Sequence, residues 1–165
     1  MLRRARHRAG QFFGALRPRV DADERADAYR YLTDNQRRIF ESMMLRDQQH
    51  GIEVLRRVRA SAGGDDAALC TAALLHDCGK GNVRLWHRVA HVLLGAVAPG
   101  LRSRIASERG AAWRRAMWRL LHHADIGARM AEAAGSDAEV VRLIREQEAS
   151  APDARLALLQ AADEA

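Results

Sequence analysis

The chain has 165 residues, 48% of them hydrophobic, the size and composition of one globular domain with a single core. No apolar run approaches the roughly twenty residues of a membrane span, and the longest, around residues 67–75, is interrupted by Cys70 and Thr71, so a soluble, cytoplasmic protein without a span is expected. The net charge of +6 is carried by arginine, because Lys80 is the only lysine; such a surface attracts phosphorylated ligands, while the arginine and alanine richness is read as coding bias and not as nucleic-acid binding.

The first twenty residues, "MLRRARHRAGQFFGALRPRV", loosely mimic a signal peptide, but Gly10, Gln11 and Gly14 break the apolar part and no small-residue cleavage pattern follows. They read as a basic arm, and with the acidic connector "DADERADAYRYL" they set residues 1–32 apart from a domain over 33–165. From there the pattern is helical nearly throughout, with apolar residues at three- and four-residue steps and no strand-like alternation. The expected fold is an all-α bundle of six or seven helices.

One long helix is predicted from a cap at Thr33 or Asp34 to about Ala60, with His50 and Asp47 on an inner stripe that includes Phe40, Met43, Val54, Leu55 and Val58. "SAGGDD" ends it and caps a second helix over Ala67 to Cys78, stopped by Gly79 and Gly81. A third, "VRLWHRVAHVLLGAV", ends at Pro99. "SERGAAWRRAMWRLLHH" gives one helix to about Leu121, and others follow over "ADIGARMAEAAG", over "DAEVVRLIREQEAS", and after Pro152 and Asp153. Trp86, Trp113 and Trp118 are assigned to the core. Cys70 and Cys78, eight apart on one helix, are expected to be reduced, with Cys78 a buried filler.

Four ionisable residues fall on apolar faces: His50, His76, Asp77 and Asp163. Burying an imidazole or carboxylate without a partner costs a few kcal/mol, so four of them on three helices point to one common partner, a divalent cation. His76 and Asp77, successive on a helix, are about 100° apart and bracket a point off its inner edge. Two imidazoles and two carboxylates suit Mn, Fe, Zn, Ni, Co or Mg without choosing among them.

These residues carry a resemblance. "QQHGIEVLRRV", "AALLHDCGK" and "LLQAADEA" are similar to the first histidine, the His-Asp doublet and the closing aspartate of the HD-domain superfamily of metal-dependent phosphohydrolases, and "HHADIGARMAEAAG" resembles the "HPEIGA" element of many bacterial members. The resemblance implies an all-helical fold in which His50, His76, Asp77 and Asp163 bind one divalent metal ion, and hydrolysis of a phosphate mono- or diester of a nucleotide or other phosphorylated small molecule. It gives Asp77 the role of orienting or deprotonating the attacking water, and Lys80 is then placed to hold a phosphate oxygen.

The departures bear on the metal count. His123 falls on the histidine position of the "HPEIGA" element, with Ala124 in place of proline, but "LIREQE" puts Gln147 and Glu148 where two-metal relatives carry a His-His pair. A single-metal site is therefore expected, with His123, Glu148 and His91 as candidates for a second site or for substrate binding. Of His122 and His123, the resemblance turns His123 inward. His87 and His91, four apart, are read as a solvated or phosphate-facing surface. The alternative to an enzyme is a catalytically weak module that binds metal and nucleotide in signalling.

Overall fold

A computed structural model of the chain describes residues 20–165; the basic arm over 1–19 lies outside the described residues. Among those described there are ten α-helices, one 3₁₀ turn and no strand. The all-α expectation holds, while the count of six or seven helices is too low. The helices are α1 (Ala22–Tyr29), α2 (Asp34–Ser42), α3 (Leu45–Arg59), α4 (Ala67–Leu75), α5 (Leu85–Val97), α6 (Pro99–Ile105), α7 (Ala112–Leu121), α8 (His123–Ala133), α9 (Ala138–Arg145) and α10 (Ala154–Glu164), with the 3₁₀ turn at Cys78–Lys80.

Of three additions, one is α6, which begins at Pro99 where only a helix end is expected, and two come from places where no breaker or periodic stripe marks the sequence. The acidic connector folds as α1, capped by Asp21 and placing Ala28 in the core. The long helix expected from Thr33 to Ala60 is two helices, because Met43 and Met44 are both extended. The break is held by side chains: the Gln48 amide donates to the carbonyls of Met43 at 2.9 Å and Glu41 at 3.3 Å, and the Ser42 hydroxyl donates to Ile39 O. Carbonyls that would have accepted helical bonds thus keep partners.

Start signals act as their chemistry predicts. Thr33 and Gln36 form a reciprocal capping box, Asp66 accepts from Leu69 N, and Asp153 accepts from Leu156 N.

Helix α4, "AALCTAALL", is apolar on every side and accordingly central: all residues from Leu69 to Leu75 are buried. It packs against α2, α3, α9 and α10. Thr71, its one polar side chain, satisfies its hydroxyl on Tyr31 O at 2.8 Å. Gly51 is what lets α3 come close, since a Cβ there would lie 2.9 Å from Leu74 O. The main core skips from Cys78 to Ala128, so α5, α6 and α7 stand outside it as a mutually packed group.

Asp47, assigned to the inner stripe, has a structural partner. Its buried carboxylate receives both terminal nitrogens of Arg88, at 2.8 and 2.6 Å, tying α3 to α5. Arg88→Met would leave that carboxylate buried and alone, and is expected to cost about 3 kcal/mol. Denaturant melts of the variant against the double variant Arg88→Met/Asp47→Asn, which should recover part of the loss, check this.

Candidate metal centre

Four elements converge. His50 comes from α3, His76 and Asp77 from the end of α4, His123 from the first position of α8, and Asp163 from the last turn of α10. The doublet does not sit inside a helix running to Cys78 as expected: α4 ends at Leu75, His76 is its C-cap, and Asp77 leads into the 3₁₀ turn. Gly81, at φ 59°, carries the chain away in a left-handed conformation that favours glycine.

The carbonyl that α4 leaves free at its end is met by a residue without an assigned role in the sequence reading. Gln147 Nε2 donates to His76 O and to Ile144 O, both at 3.0 Å. Gln147 therefore holds the backbone of the doublet. α10 is anchored in the same way, by Arg57 Nη1 on Ala162 O at 2.9 Å and by Gln160 Nε2 on the carbonyls of Gln147 and Ala149.

His50, His76 and Asp77 offer ligand atoms all within 4.8 Å of one another, a group that can hold a metal ion. Asp163 reaches the same group. His50 Nε2 donates to Asp163 Oδ1 at 2.7 Å, and that oxygen is 3.5 Å from His76 Nε2.

His76 decides what the cluster can accept. It is 2% exposed, and its Nδ1–H donates to Ala73 O at 2.9 Å, which is required because a carbonyl only accepts. In the neutral ring Nε2 then carries the lone pair. That atom is buried without a hydrogen-bond partner and lies 3.4 Å from Asp77 Oδ1 and 3.5 Å from Asp163 Oδ1. A lone pair facing two carboxylate oxygens is repulsive unless a cation sits among them, either a proton or a metal ion. The protonation behaviour expresses the same demand: burial alone would lower the His76 pKa, but Asp77 and Asp163 outweigh it and push it up to about 8.

Both carboxylates are held ionised. Burial opposes this for Asp77, yet Lys80, His76, His50 and His123 keep its carboxyl well below the usual range; for Asp163 the same opposition is overcome by His50 and His76. Lys80 donates to Asp77 Oδ2 at 2.6 Å. Oδ2 is thereby occupied, and Oδ1 is the oxygen turned to the histidines.

His123 points inward, as the resemblance favoured, while His122 is exposed. It repeats the His76 device: Nδ1–H donates to Leu120 O at 2.9 Å, and Nε2 faces Asp77 Oδ1 and Glu148 Oε1, each at 3.9 Å. Burial first, then Lys80, lowers its pKa. Glu148 is an exposed rim residue. Cys78 is the buried filler expected, its thiol pushed up to about 12 by burial and Asp77.

The reading of His87 and His91 as a solvated surface is overturned for His87, which is buried against the Trp86 ring at 3.7 Å. His91 is half-buried, with Nε2 3.4 Å from Arg102 Nη1. Burial, then Arg102, His123 and Lys80, push its pKa down to about 4. An unfolded histidine takes a proton near 6.5, so this contribution to stability is complete above pH 6.5 and is lost as pH falls toward 4. After allowance for solvent screening the loss is about 1–2 kcal/mol. Denaturation midpoints of wild type and His91→Gln across that window should converge as the pH falls; parallel curves would remove His91 as the source.

No family model, no curated protein and no solved structure matches the chain.

Proposed function

We propose that the chain is a metal-dependent phosphohydrolase of the HD type, acting on a nucleotide or another phosphorylated small molecule. The observation that carries the reading is the buried, partnerless Nε2 of His76 facing two ionised carboxylates, an arrangement that suits a divalent cation. The donors fit such an ion: imidazole nitrogens from His50 and His76, Asp77 Oδ1 and Asp163 Oδ1, an N/O set without thiolate. Ala73 O fixes the tautomer of His76, as partners behind metal-binding histidines do.

An ion held there supplies Lewis acidity toward water and toward a phosphoryl oxygen. Asp77 is held too acidic to be an effective base, so its work is to orient the attacking water, with Lys80 keeping it ionised. His123, its pKa lowered and its Nε2 directed inward, is suited to accept a hydrogen bond or proton beside Asp77. The arginine excess of the chain favours a phosphorylated substrate.

A second reading, a metal- and nucleotide-binding module with little turnover, draws on Gln147, which faces backbone carbonyls, and on Glu148, whose side chain is 71% exposed. Metal analysis of the purified protein, followed by a phosphate-release screen over nucleotides with Mn²⁺, separates the two. Turnover dependent on bound metal supports the hydrolase; stoichiometric metal without turnover favours the module; failure to bind any divalent ion rejects both.

A further inference from the structure

Helix α5 is inside out. Its polar residues His87, Arg88 and His91 are buried or half-buried, whereas Trp86, Val89, Leu93 and Val97, spaced by three and four residues on one stripe, are exposed, Val97 to 79%. Seven of the eight large apolar side chains exposed among the described residues lie between Trp86 and Trp113, on the group α5 to α7 that stands outside the main core. Isolated exposed apolar residues are ordinary, but a concentration of this kind on neighbouring helices marks a docking face.

The charge of the segment that carries this face points to what it fits. Residues 84–119 hold eight arginines against a single acid, Glu108. Arg84, Arg104, Arg109 and Arg115 are exposed, and none pairs with a carboxylate among the described residues. Two copies of the chain meeting through this segment would bring two arginine-rich, nearly acid-free segments together. A surface that is apolar beneath and anionic above complements it, and tryptophan with arginine is the side-chain chemistry of such a boundary.

We propose that the exposed face of α5 to α7 docks on an anionic phospholipid bilayer, lying in the interface without crossing it. The proposal is independent of the hydrolase reading, since none of its residues belongs to the His50–His76–Asp77 group. The test is co-sedimentation of the full chain with vesicles of phosphatidylserine and phosphatidylcholine, against phosphatidylcholine alone. Binding to the anionic vesicles is expected, weakened by salt and reduced on the order of tenfold or more by Leu93→Glu/Val97→Glu and by Arg104→Glu/Arg109→Glu. These positions are exposed, so both variants should keep the wild-type circular dichroism. No sedimentation with anionic vesicles overturns the proposal and leaves the face to an acidic protein. Unchanged binding by both variants overturns it too, as does lipid-free dimerisation in light scattering that the apolar pair abolishes.

Discussion

Asp77→Asn is expected to abolish stoichiometric metal binding and to lower metal-dependent phosphate release by more than about a hundredfold, since loss of a mere outer partner of a metal site already costs about 10- to 100-fold. The substitution keeps shape and removes charge. One carboxylate oxygen becomes an NH2 group, so the oxygen 3.4 Å from His76 Nε2 and the 2.6 Å acceptor of the Lys80 ammonium can no longer both be kept. A second readout is independent of turnover. With the Asp77 charge gone, only Asp163 is left to oppose burial at His76, and its pKa should fall from about 8, which a histidine NMR titration detects. The sign of the accompanying stability change is fixed by the same shift. In the metal-free wild type the His76 contribution, at most about 2 kcal/mol, is present below pH 6.5 and lost as pH rises through 8; in the variant that slope should weaken. Full metal occupancy with undiminished hydrolysis in Asp77→Asn would reject the site.

The candidate centre was legible because ionisable side chains stood where apolar ones were due: His50 in the stripe of α3, His76 and Asp77 after the run of α4, and Asp163 in the last turn. Burial makes such exceptions informative, as each must find a partner. Asp47 shows the limit of that logic, for it is equally misplaced in the stripe yet pairs with Arg88 from forty-one residues away. Nothing local separates a carboxylate that meets a guanidinium from one that meets an imidazole cluster. Lys80 follows the same lesson, since nothing local announces that its ammonium lies on Asp77.

The fold was legible in type and less so in its breaks. Caps and glycines act through neighbours in sequence, so Thr33, Asp66 and Asp153 start helices where expected. The break at Met43 depends on an amide five residues onward that bonds backward, a pattern no breaker residue announces. The tryptophans failed for the opposite reason. A helix rich in apolar residues was taken to bury them, but α5 turns its polar side inward, leaving Trp86 exposed, with Trp113 on α7 also exposed and Trp118 only half-buried. Periodicity gives the width of an apolar stripe; which side meets the protein is settled by partners such as Asp47.

Among the described residues, Gly79→Ala is expected to be the most damaging glycine-to-alanine change, destabilising by more than about 4 kcal/mol or preventing folding. Gly79 lies in the 3₁₀ turn against the first turn of α8, and a Cβ there would fall 1.9 Å from His123 O and 2.7 Å from Gly127 N. Both are backbone atoms of a packed helix and have no rotamer through which to yield. The turn would have to leave α8, carrying Asp77 away from His123 and Cys78 away from Gly127. Gly127 faces the same interface with more room: its added Cβ would meet Cys78 Sγ, Gly79 N and Ile144 Cγ2 at 3.2–3.3 Å, so Gly127→Ala should cost only about 1–2 kcal/mol. Gly100, in α6 with nothing within 4 Å, gives the contrast, and its alanine variant should be neutral or gain up to about 1 kcal/mol from helix propensity. Urea melts of the three variants should rank Gly100→Ala, Gly127→Ala and Gly79→Ala in falling order of stability. A folded Gly79→Ala of wild-type stability would mean that the turn does not press on α8, and the packing that presents Asp77 to His123 would need another cause.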